Sequence, residues 1–94
     1  MNIIIMNKSQ IISEIESIVS GAKKVDYSIW TMGVTDTPKT RKDKHDSDGK
    51  AVKHWKDWST NSEKDGRDIE EYFLDKGMDG DTGGGGSASY VYIF

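Results

Sequence analysis

Residues 27–45, Tyr-Ser-Ile-Trp-Thr-Met-Gly-Val-Thr-Asp-Thr-Pro-Lys-Thr-Arg-Lys-Asp-Lys-His, constrain this chain more than any other stretch. Alternation puts Tyr27, Ile29 and Thr31 on one face and Trp30, Met32 and Val34 on the other, the period of a strand. Gly33 gives that strand a tight exit. Thr37 then reads as an N-cap and Pro38 as the first residue of a short helix, where its missing N–H costs nothing. The helix runs to about His45, is basic, and sets Arg41 and His45 one turn apart. A strand handing over to a cationic helix is one way to hold a phosphate near fixed backbone.

The remaining elements must share one small core, because 94 residues with 34% hydrophobic content leave no room for two. A mean hydropathy of -0.70 predicts a soluble chain, while three Trp, four Tyr and two Phe supply bulk enough for order. Without cysteine there is no disulfide framework and no thiolate metal site. Ile3-Ile4-Ile5-Met6 is too short for a membrane span or a signal peptide, so a cytoplasmic location is expected.

Asn2 to Met6 reads as a short strand. Asn7 or Ser9 caps a helix to about Ser20, with Ile11, Ile12, Ile15, Ile18 and Val19 as one apolar stripe, Gly21 as its stop and Lys23-Lys24 at the negative end of its dipole. Val52, Trp55 and Trp58, spaced i, i+3 and i+6, predict a helical turn laying two indoles on the core. Ser62 caps a helix to about Lys76 whose apolar arc is Ile69, Tyr72, Phe73 and Leu74. Glu70 falls inside that arc, where a carboxylate is costly unless paired, hydrogen-bonded or metal-bound. Gly77 ends the helix. Residues 77–87 form a flexible glycine-rich connection, lacking the Lys-Ser/Thr of a phosphate loop. The strand from Tyr90 to Phe94 carries Tyr90, Tyr92 and Phe94 on one face.

Net charge is -3, which argues against a dedicated non-specific nucleic-acid binder. The charge is uneven, however: residues 38–58 hold seven Lys/Arg against four Asp, a local +3, so a polyanion would meet the middle of the chain. Two His without Cys make a poor zinc set. Asp46, Asp48 and Gly49 do not follow EF-hand spacing, and no nucleophile elbow or dinucleotide fingerprint occurs. One Arg, a His, one or two Tyr and an oddly placed Glu survive.

These residues resemble the GIY-YIG nuclease family. Thr31-Met32-Gly33-Val34-Thr35-Asp36 through Arg41 to His45 is similar to that family's second strand and first helix, and Ile69-Glu70-Glu71-Tyr72-Phe73-Leu74 to the later helix whose glutamate holds the metal. Tyr90-Val91-Tyr92-Ile93-Phe94 resembles the family's first strand, displaced to the far end, so the likeness is to a circularly permuted relative whose last strand pairs beside residues 27–34. It covers about two-thirds of the chain. Thr31 stands where the second tyrosine falls, Tyr27 lies about 13 Å away along the expected strand, and Lys42 replaces an apolar residue.

The resemblance implies an α+β fold, a small three-stranded, mostly antiparallel sheet flanked by helices, in a single domain of residues 1–94: an N-terminal strand and helix over 1–22 and a family-like core over 26–94. It implies a metal-dependent endonuclease acting on DNA or RNA with Mg²⁺ or Mn²⁺. Glu70 would hold the metal, Arg41 would brace the scissile phosphate, and Tyr92, aided by His45, would orient or deprotonate water. Lys39, Lys42, Lys53, Lys56 and Trp55 would meet the nucleic acid. The alternative is a catalytically inactive nucleic-acid- or protein-binding module on the same fold.

Overall fold

The computed structural model describes residues 7–80 and 89–94. The strand expected at Asn2–Met6 and most of the glycine-rich connection lie outside these residues. The element order is α1 (Lys8–Ser20), a 3-10 turn (Tyr27–Ile29), β1 (Thr31–Thr35), α2 (Pro38–Ser47), β2 (Lys56–Ser59), α3 (Glu63–Asp75), β3 (Asp79–Gly80) and β4 (Tyr90–Ile93). The fold is α+β, and its mixed sheet has four strands in the order β2-β4-β1-β3.

α1 starts where the sequence placed it. Asn7 accepts from the Gln10 amide and donates its own amide to Gln10 Oε1, both at 2.9 Å, a reciprocal cap typically worth about 1 kcal/mol. Ile11, Ile15 and Val19 are buried, whereas Ile12 and Ile18 flank them half-buried. α3 is capped by the Ser62 hydroxyl and buries Gly66, Ile69 and Phe73. It ends at Gly77, whose φ of +112° suits glycine. Tyr72 and Leu74, expected in the apolar arc, lie at the exposed margin.

The register divides the sheet's two faces. Val34 pairs with Val91, Met32 with Ile93 and Trp58 with Val91, so these side chains share one face and meet α1 and α3 in the core. Each fully buried side chain of this kind stabilises by about 1.5–3 kcal/mol relative to exposure. Gly33 pairs with Tyr92 and Asp57 with Tyr92, which defines the opposite face.

Four expectations change. Tyr27–Ile29 is not strand: Asp26 accepts from the Ser28 amide and hydroxyl and winds a 3-10 turn, which leaves Tyr27 stacked on Phe73 at 6.1 Å. Gly33 is not an exit but the middle of β1. Residues 52–55 close a single hydrogen-bonded turn, Trp55 N–H to Val52 O at 3.1 Å, but no helix follows, because residues 56–59 pair with β4; three residues apart, Trp55 and Trp58 take opposite faces. Finally, the connection expected from 77 contains β3, which adds a short parallel strand beside Thr31 and Met32. Among the described residues no helix is long and apolar enough to cross a membrane.

Candidate functional site

The face of the sheet away from the core is built around Tyr92. Its partner across the strand pair is Gly33, and the phenol ring lies over that glycine. A Cβ at Gly33 would stand 2.8 Å from Tyr92 Cε2 and closer still to the hydroxyl end, so only glycine leaves room for the ring. Tyr92 is 0% exposed.

α2 lands on the same face. It is polar along its length, and His45 is its one buried residue. Pro38 opens the helix as expected, although the Thr37 hydroxyl makes no capping bond. His45 Nε2 lies 3.3 Å from Tyr92 Oη, and its ring rests 4.7 Å from that of Phe94. Trp55, just before β2, closes the cluster: its indole stacks on Tyr92 at 4.4 Å and 11° and on Phe94 at 5.5 Å and 17°. The Trp55 indole N–H donates to Asp57 Oδ2 at 2.8 Å, which fixes the ring's orientation.

Arg41 is one turn before His45 on α2 and half-buried. His45 and Tyr92 therefore meet on one side of the sheet from segments nearly 50 residues apart, with Arg41 one helical turn along α2 from that contact. Lys39, Lys42, Lys53 and Lys56 are exposed around this region of the chain, with Trp55 half-buried. Thr31 shares Gly33's face and is half-buried, whereas Tyr27 packs toward Phe73 and does not stand in for a second tyrosine.

Glu70 lies on α3 beside the buried residue Ile69, and its side chain is 18% exposed. Arg67 Nη1 approaches its Oε1 at 3.8 Å, an i, i+3 ion pair too long for a hydrogen bond and carried by a half-exposed arginine. Among the described residues no group of three or more His, Asp or Glu converges as a metal cluster. Glu70 is thus paired with Arg67, and α3 carries it on the core side of the sheet, so it does not stand with Tyr92 and His45.

Three features of the site escaped the sequence reading: Gly33 as the floor under Tyr92, Phe94 as a ring partner of His45, and Asp57 as the anchor of Trp55. Only the first had a local signal, since an isolated glycine inside a strand pattern marks close approach.

No protein-family model matches the chain, and no curated protein and no solved structure matches it either.

Proposed function

We propose that this chain is a metal-dependent endonuclease-like domain that hydrolyses phosphodiesters of DNA or RNA on a circularly permuted GIY-YIG-like arrangement, in the cytoplasm. The observation that carries the reading is the contact of Tyr92 with His45, one helical turn from Arg41. The strand order supports it. Thr31 N–H donates to Phe94 O at 2.8 Å and Phe94 N–H to Thr31 O at 3.1 Å, so β4 ends where β1 begins. A short turn between them would restore the hairpin of the family's usual order.

In this reading the Arg41 guanidinium braces the scissile phosphate with a forked, charge-assisted contact. Tyr92 Oη orients or deprotonates the attacking water, and His45 Nε2 exchanges the proton. Glu70, to which the resemblance assigns Mg²⁺ or Mn²⁺ for charge neutralisation at the phosphate, stands on α3 against the core face of the sheet, opposite Tyr92, and is the member of the set that counts against the reading. Lys39, Lys42, Lys53 and Trp55 line the approach, whereas Lys56, opposite Ile93, belongs to the other face of the sheet. Because Trp55 and His45 cover Tyr92, the indole must lift before a substrate reaches the phenol.

That burial is the observation favouring the second reading, an inactive module that binds nucleic acid or protein through residues 38–58. Cleavage of plasmid and single-stranded substrates with Mg²⁺ or Mn²⁺ separates the two, with Arg41→Ala and Glu70→Ala checked for folding by circular dichroism. The nuclease reading expects metal-dependent nicking that falls by about 100-fold or more in folded Arg41→Ala, and a like fall in Glu70→Ala is what a metal held at Glu70 requires. Absent cleavage, with nucleic-acid binding lost on replacing Lys39, Lys42, Lys53 and Lys56 by Ala, assigns the binding module.

A further inference from the structure

A second concavity, sharing no residue with the Tyr92 cluster, lies where α1 ends. Its volume is about 540 Å³, within the range of about 300–1,000 Å³ usual for small-molecule sites. Ile18, Ala22, Ile29 and Trp30 supply apolar walls, and Lys23, Lys24 and His54 stand among the lining residues without a carboxylate.

Three observations set this concavity apart from ordinary surface. Ile29, one of its lining residues, is 61% exposed, a β-branched side chain left in water at a preformed hollow. The Trp30 indole N–H is buried and, among the described residues, meets no acceptor, which is unusual for so strong a donor. The cationic edge is also largely unspent. Lys24 reaches Asp26 only at 3.8 Å, while Asp26 itself is held by Ser28, whose hydrogen bonds keep that carboxyl below its ordinary pKa.

Apolar walls and a positive edge complement a ligand with an apolar body and an anionic head. We infer that this groove binds a small amphiphilic carboxylate, its hydrocarbon on Ile18, Ile29 and Trp30 and its head at Lys23 and Lys24. The site is independent of the nuclease reading.

The test is a titration of the full, ¹⁵N-labelled chain with octanoate, followed by two-dimensional amide NMR, with octanol as the neutral match. Saturable shifts are expected at the Trp30 indole N–H and at the Ala22 and Ile29 amides, with octanoate bound about fivefold or more tightly than octanol. Lys23→Ala with Lys24→Ala should erase that preference while leaving the weak affinity for octanol. Ile29→Asp should abolish both, and these exposed positions leave the core untouched, as the same spectra will report. Equal affinity for the two ligands, or shifts centred on Trp55 or spread without saturation, would overturn the inference. Ligand-free broadening of these signals that grows with protein concentration would also overturn it, assigning the groove to a second copy of the chain.

Discussion

At the scale of single residues, the Gly33–Tyr92 pair decides the geometry of the candidate site. Adding one methyl at Gly33 drives a Cβ into the Tyr92 ring, and the ring has Trp55 stacked against it and His45 beside it. Gly33→Ala is therefore expected to destabilise by about 1–3 kcal/mol, the usual cost of overpacking a filled interior. Urea denaturation measures it, and the variant should also move the His45 ring resonances, because the displaced phenol loses its place over Nε2. Replacing Tyr92 by Ala in the same chain should recover part of the Gly33→Ala cost, since neighbours in contact couple non-additively. Arg41, His45 and Tyr92 were singled out through the family resemblance and Glu70 by a carboxylate set inside an apolar arc; the fold brings His45 to Tyr92 and leaves Glu70 on the core side of the sheet. Glu70 is indeed half-buried. The role of Gly33 was legible only as a close approach of unknown partner, because the aromatic opposite it comes from a strand nearly 60 residues later.

At the scale of elements, the helices were read well and the strands only in part: β1 and β4 were expected, β2 and β3 were not. α1 and α3 carry apolar stripes with caps at their starts, signals contained within a dozen residues. β2 was read as a helical turn because Trp55 and Trp58 are three apart. Short apolar runs are ambiguous in period, and pairing with β4 settled the outcome. α2 is the weak element: its single buried residue is His45, and no side chain caps its start. His45→Ala should thus release α2, with amide exchange in residues 41–47 accelerating by at least about tenfold while α1 keeps its protection.

α1 and α3 are instead fastened at both ends. Lys76 reaches Glu16 at 3.5 Å and Tyr72 donates to Glu16 at 3.0 Å, while Asp68 takes Lys64 at 2.9 Å and Lys8 at 3.2 Å. The hydrogen bond from Lys64, followed by that from Lys8, holds the Asp68 carboxyl below its ordinary pKa. A carboxyl depressed on folding contributes stability above its unfolded value of about 3.9, and that contribution disappears as pH falls through the lower, folded value. Asp68→Asn should accordingly lower stability at pH 7, with the gap to wild type narrowing below about pH 4 and closing at more acid pH. Urea midpoints across that range at low salt would show it, and a gap that persisted unchanged into acid would assign the effect to packing instead.

At the scale of the whole molecule, cohesion rests on β4. The sheet order β2-β4-β1-β3 makes β4 the only strand between β2 and β1 among the described residues, so its removal separates Trp58 from Met32 and Val34 and opens both faces at once. On the core face it takes Val91 and Ile93; on the other it takes Tyr92, the floor for His45 and Trp55. The aromatic and β-branched alternation of residues 90–94 identified a strand, and the resemblance set it beside residues 27–34, where it does pair with β1; its second pairing, with β2, was not legible, because pairing across such a sequence separation leaves no local trace. A chain ending before Ser89 would retain β1 and the two-residue β3 as its only described strand pair, too little for independent stability. Such a chain is expected to lose its near-ultraviolet circular dichroism and collapse its amide spectrum toward random-coil positions, with residual helix confined to α1 and α3. Native shifts surviving at Met32 and Trp58 would instead place the cohesion of the fold in the α1–α3 layer. In that case the Tyr92 cluster would be an addition to an already stable scaffold rather than the other half of one sheet.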